Sequence, residues 1–293
     1  MGKLNRLRVA ARNRLILCIV GVAALGLAVW RATHYFHAGF LAMFAGSLFA
    51  YPVYRRSWER FRSTYKHAFV PRALESVFTD VVYNPRIGIP YDTIADTKMI
   101  YTGTGFHAED YVCARYKGTF FEQSDVLIQQ SNGRSNSTLF RGRWMIFNFN
   151  KSFKADLQIV EKGFGCARHR QFFADRETRL KKVPMESEVF NEAFRVYAQN
   201  EHDAFYIITP ALMERLLSLA YCCHGKLMLC FSGSRLHVAI NDGRDFFEPE
   251  SVFQPVRKRS EIWKTESQLR AVTQMIDLLS LDNDLFLPPE RKL

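Results

Sequence analysis

Two apolar runs near the start of the chain, Leu15 to Trp30 and Tyr35 to Tyr54, constrain its fold more than any other feature. Neither contains a Lys, Arg, Asp or Glu. At 1.5 Å per residue they make about 24 Å and about 30 Å of helix. A bilayer core is about 30 Å thick. Arg14 and Arg31 flank the shorter run, and long basic side chains reach the interface and extend a span. Trp30, Tyr35, Phe36, Tyr51, Tyr54 and Trp58 stand at the edges, as an aromatic belt requires. His37 lies near one end of the second run, and Pro52 near the other, where its lost hydrogen bond costs least.

The link Arg31-Ala32-Thr33-His34 is too short for a domain, so the two helices are expected to be antiparallel neighbours. Ala38, Ala42, Gly46 and Ala50 recur every four residues, and Gly21, Ala24 and Ala28 form a similar stripe on the first helix. Small residues let backbones approach where lipid supplies no hydrophobic drive. The stripes serve either packing within the hairpin or a contact between two copies of the chain. A cleaved signal peptide is the rival for the first run, but no small-x-small site precedes Arg31 and a second span follows at once.

Charge gives the orientation. Lys3, Arg6, Arg8, Arg12 and Arg14 precede the hairpin, Arg55, Arg56, Arg60, Arg62 and Lys66 follow it, and the link holds only Arg31. This predicts both termini on the cytoplasmic side of the membrane. The formal charge of +11 suggests a nucleic-acid partner until it is divided. Residues 1–66 hold 11 basic residues and one acid, and the remainder hold 29 and 28. The excess is juxtamembrane, where it attracts anionic headgroups, and nucleic-acid binding is not expected. Within the remainder, 141–182 is basic and 183–250 acidic, as two solvated faces or as a basic face toward lipid phosphates or an acidic partner.

The expected organisation is α+β. A transmembrane hairpin over 1–56 is followed by a helical stalk over 57–84. An antiparallel β-rich cytoplasmic domain over 85–293 then ends in a helix and divides into two subdomains near residue 183. In the stalk, apolar residues recur at three and four from Trp58 to Val82, with Pro71 restarting the helix. The linker through Pro90 reads as irregular. Asp110 to Tyr116 and Thr119 to Gln130 form a hairpin around Lys117-Gly118. Leu139 to Phe149 and Leu157 to Val160 read as strands. Glu188 to Phe194 is a short helix, Arg195 to Ala198 a strand, and Ala204 to Ile208 another strand. Thr209 caps a helix with Pro210 in its first turn and Gly225 as its stop. Leu227 to Phe231 and Leu236 to Ile240 alternate around Ser232-Gly233-Ser234 as a hairpin. Ile262 to Leu281 closes the chain as an amphipathic helix.

Several stretches, in this order, resemble a bacterial family catalogued as a domain of unknown function, number 3137. They are FVPRALESVF-TDVVYNP, AEDYVCARYKGTFFEQSDVLIQ, LFRGRWMIFNFNKSF, MESEVFNEAFRVYAQNEHDAFYIITPALMERL, GKLMLCFSGSRLHVAIN and FFEP, and they span most of 69–249. The resemblance implies an N-terminal membrane hairpin, a cytoplasmic domain and an association with other membrane proteins. It implies no activity and no catalytic residues.

The chemistry-bearing motifs are sparse. The phosphate-loop, HExxH and GxSxG patterns are absent. Gly103-Thr104-Gly105 lacks the third glycine of a dinucleotide fingerprint. Six cysteines in a cytoplasmic domain and its anchor are expected to stay reduced. Cys166, His169, Cys222, Cys223, His224 and Cys230 lack the paired spacings of a zinc site, so neither cofactor nor metal is expected. A Cys/His nucleophile from the same residues is no more specific. Glu109-Asp110 and Glu186/Glu188 are acid pairs, and Glu188, Glu192 and Glu201 are expected on solvated helix faces or turns. Phe246-Phe247-Glu248-Pro249 is either a core cap or a docking point. These features favour a non-enzymatic interaction or scaffold module whose partners are the bilayer and another membrane protein. The alternative is a membrane-tethered enzyme or carrier acting on lipid or envelope material.

Overall fold

A computed structural model describes residues 2–101, 103–131, 133, 135–165, 180–249, 251–257, 265–266, 269–270 and 272–277. The chain divides into two compact units, Met1–Ala73 with Phe247–Thr265, and Leu74–Phe246 with Glu266–Leu293.

The first unit is built on two long helices, α1 (Gly2–Thr33) and α2 (Phe36–Glu75). Both outrun the apolar segments that nucleate them. Only His34 and Tyr35 stand between them, and His34 takes a positive φ of 56°. The stalk is not a separate element. Residues from Ser57 onward continue α2, and Pro52 and Pro71 both lie inside it. Each proline removes one intrahelical donor without ending the helix. The stalk stops at Glu75 rather than Val82. Thr79–Asn84 is instead strand β1, whose β-branched and aromatic Val81, Val82 and Tyr83 suit an extended backbone.

The second unit is an antiparallel seven-stranded sheet with short helices. Its strands are β1, β2 (Gly105–Tyr116), β3 (Thr119–Ser131), β4 (Asn136–Glu161), β5 (Lys181–Val183), β6 (Phe194–Ala198) and β7 (Lys226–Asn241). The helices are α3 (Tyr91–Ala95), α4 (Glu188–Ala193), α5 (Glu201–Ile207) and α6 (Pro210–Cys222). The turn between β2 and β3 is the expected one. Lys117 and Gly118 take φ of 49° and 81°, the two positive values that a tight hairpin turn matching strand twist demands. β4 is the spine: β3 pairs with its first half, β6 with its second, and β7 runs beside both.

That pairing corrects the expected hairpin at Leu227–Ile240. Ser232-Gly233-Ser234 does not reverse the chain. β7 passes straight through, with Leu229 opposite Ile159 and Val238 opposite Met145, and the register shifts between Asn148 and Leu157. Extra residues in β4 absorb the irregularity that the Ser-Gly-Ser triplet introduces. A second correction is Ala204–Ile208, which lies in helix α5 and its cap. The Asn200 side chain accepts from the backbone of His202, and Glu201 and Asp203 sit in the first turn, where the helix dipole favours them. The cap at Thr209 is as expected, accepting from Leu212 N–H at 3.3 Å.

One face of the sheet buries Val126, Ile128, Phe140, Trp144, Ile146, Val160, Met228 and Ala239. Covering them are Ile89, Ile94, Met99 and Ile100, so the expected linker is part of the core. Side-chain bonds fix it there. Ile89 N–H donates to Ser124 Oγ at 3.0 Å, and Gln158 Nε2 donates to the Thr97 carbonyl at 2.9 Å. On the other face Phe121 packs on Phe147 and Phe78. The closing helix is described at 272–277, with Val272, Met275 and Ile276 buried, and the rest of the expected 262–281 lies largely outside the described residues.

Candidate functional site

The two long helices are each apolar and long enough to cross a membrane, and little of either apolar window is buried by protein. Their mutual seam is made by close backbone approach. A side chain on Gly39 would fall 2.8 Å from the Gly26 carbonyl and 2.9 Å from Trp30 Cβ. One on Gly46 would press on Leu25 and Val22. Further along, Cys18 Sγ lies 3.5 Å from the Ala50 carbonyl. The α2 stripe of Ala38, Ala42, Gly46 and Ala50 is half-buried. On α1 the seam runs through Cys18, Val22 and Gly26 instead of Gly21, Ala24 and Ala28, which are exposed. Gly21 has nothing within 4 Å of where a side chain would begin.

Past its apolar runs, the first unit has a core of its own. Leu4, Ala11, Phe61, Tyr65 and Phe69 pack with Val252 and Val256. Arg8 donates to the Val252 carbonyl at 2.9 Å, and Asn5 to the Val256 carbonyl at 3.4 Å. Arg14 bonds Ser57 across the helix pair. Glu248 completes the strap. Arg62 Nε donates to both its oxygens at 2.7 Å, and the buried Lys66 ammonium lies 2.6 Å from Oε1. Phe246, Phe247 and Pro249 are buried and Glu248 half-buried. The Phe246–Pro249 motif therefore sits as packing, with its one charge spent on α2.

In the second unit, ionisable groups converge where β2, β3 and β4 meet. Asp110 occupies a bulge in β2 with φ of 57° and accepts from the Tyr83 hydroxyl at 2.6 Å. Across the sheet Asp125 stands opposite Arg143 and accepts the Phe246 N–H. The Arg143 guanidinium lies 3.7 Å from the centre of the Phe246 ring, a cation–π geometry. Burial pushes the Asp125 carboxyl well above its ordinary range, and the Asp110 charge adds to the effect. Burial also raises Asp242 and lowers Arg143. Trp144 Nε1 donates to His237 Nδ1 at 3.3 Å, and burial, then Arg235, pulls His237 down to about 4, keeping it a neutral acceptor. Asp110, Asp125, Arg143 and His237 are all buried. Groups so enclosed tie neighbouring strands together.

Among the described residues, the Gly103–Gly105 pair, Glu186/Glu188 and the cysteines form no such cluster. Gly103 takes φ of 61° and the next residue bonds back to Gln129, so a strand follows the glycines where a nucleotide loop needs a helix. Glu186 and Glu188 are exposed beside the Ser187 cap of α4. Cys222 and Cys223 end α6, and burial raises the Cys223 thiol to about 11 and the Cys230 thiol further. Such thiols are poor nucleophiles at neutral pH. Cys166 and His169 lie outside the described residues.

No curated protein matches the chain. A crystal structure of the mycobacterial trehalose monomycolate transport factor A overlaps 72% of this chain and 91% of its own, with 12% identity and a TM-score of 0.39. That overlap is too slight to argue from. A family model described as "Protein of unknown function (DUF3137)" matches residues 138–281. This covers the strand β4 spine, the α4–β6–α5–α6 order and β7, the stretches that carried the resemblance most strongly. Residues 138–281, just under half of the chain, are thus similar to that family of proteins of unknown function.

Proposed function

We propose that this chain is a membrane-anchored interaction module, held in a bacterial inner membrane by a two-span hairpin with both termini cytoplasmic. The observation that carries the proposal is the apolar coat of α1 and α2, where Leu17, Leu41 and Phe49 are 72%, 71% and 81% exposed. In water such a coat is an aggregation liability, and in hydrocarbon it costs nothing. The basic residues that flank the hairpin on one side and are scarce in its turn support the orientation. The burial of the carboxylates and guanidinium that converge in the sheet supports a structural role for them. It favours a domain that works by its surface over a tethered enzyme.

Mass spectrometry of the protein extracted with its native lipid tests this reading. A second protein retained in fixed proportion is the expected result. A retained lipid or metabolite with no protein partner would contradict it and favour a carrier.

A further inference from the structure

Helix α5 is built the wrong way round for a helix that only packs. Ala204 is its buried residue, while Phe205 and Tyr206 are 46% and 69% exposed. His202, Phe205 and Tyr206 are three and four residues apart and share the outward side. The next helix repeats the arrangement. α6 buries Met213, Leu216 and Leu219, and turns Glu214, Ser218 and Tyr221 outward at i, i+4 and i+7, with Tyr221 93% exposed. α4, which packs on α6, buries Phe190 and exposes Val189 and Glu192.

The stretch that carries these side chains is acidic on balance. Between residues 184 and 221 there are six acids and two basic residues. Glu188, Glu201 and Asp203 stand in first turns, where the helix dipole accounts for them. Glu192 and Glu214 do not. Both are exposed, and neither is in an ion pair among the described residues. Exposed aromatics are enriched in interface hot spots, and unpaired carboxylates on the same group of helices favour a cationic partner. They also repel the anionic surface of a cytoplasmic leaflet.

We infer that the outward side of α4, α5 and α6 docks a basic, apolar segment of a partner protein, with Phe205, Tyr206 and Tyr221 as anchors and Glu192 and Glu214 selecting its charge. This rests on the interaction-module reading and gives it a surface and a partner chemistry. Every residue named is on the outside of its helix, so substitution there leaves the fold intact.

The test places a photoreactive benzoylphenylalanine at position 206 of the full chain in native membranes. The expected adduct is a peptide of another protein with Lys or Arg beside apolar residues. Its yield is expected to fall about tenfold with Phe205→Ser, and as far with Glu192→Lys plus Glu214→Lys, since about 1.4 kcal/mol is tenfold in binding. An adduct with lipid, with a second copy of this chain or with a peptide lacking basic residues overturns the inference, as does no adduct. If native extraction retains a partner that Phe205→Ser plus Tyr206→Ser retains equally, the surface is wrong and the module reading stands. If it retains none, both fail.

Discussion

Gly142→Ala is expected to cost the second unit about 3 kcal/mol or more, or to prevent folding outright. Gly142 sits in β4 with β3 on one side and β7 on the other, opposite Val126 and Asn241. A methyl group there would fall on the carbonyl oxygen of Ile240. Backbone cannot swing aside as a long side chain does, so β4 and β7 must part. Gly105→Ala supplies the comparison. Its nearest contact would be an ordinary 3.7 Å to Gln129 Cβ, and its melt is expected within about 0.5 kcal/mol of the parent. Denaturant titration of both variants checks this, and equal midpoints would contradict the strand order.

Glu248→Gln is the second large effect, and it falls on the first unit. The carboxylate faces Arg62 and Lys66 together, and Lys66 is 3% exposed. Removing one charge of a buried set leaves the others without compensation, at a cost of about 3 kcal/mol. The segment 247–257, tied to α1 through Arg8 and Asn5, is then expected to lose amide protection first. Hydrogen exchange on the full chain in a lipid disc reads this peptide by peptide. Replacing Glu248 and Lys66 together by Met should recover part of the loss, because a matched apolar pair strands less charge. Unchanged protection in Glu248→Gln would show that the strap is held by its valines alone.

What was legible in the sequence was mostly local. Apolar runs without charge mark the helices, Thr209-Pro210 marks a helix start, and Lys117-Gly118 marks a turn, because each signal and its consequence lie within a few residues. Errors arose where the deciding partner was distant. Ser232-Gly233-Ser234 has turn composition, yet β4 carries the compensating residues near 148–157, so β7 stays straight. Ala204–Ile208 is too short for its period to separate strand from helix. The Asn200 cap with Glu201 and Asp203 behind it was the readable signal. Small residues lie on several sides of α1, so a stripe on it does not announce the seam. Gly26 found its place only against Gly39. The Arg62–Glu248 contact spans 186 residues and leaves no local trace.

The central claim is that the two apolar helices form a hairpin through a bilayer, and side-specific labelling tests it most directly. Ala32→Cys lies at the end of α1 beside the hairpin turn and His67→Cys in α2 beyond its apolar run, and both positions are exposed. A membrane-impermeant thiol reagent is applied to intact cells and then to opened ones, and each peptide is read by mass spectrometry. The account predicts that position 32 reacts in intact cells and position 67 only after opening. Reaction of both in intact cells, or of neither until the cells are opened, would contradict it.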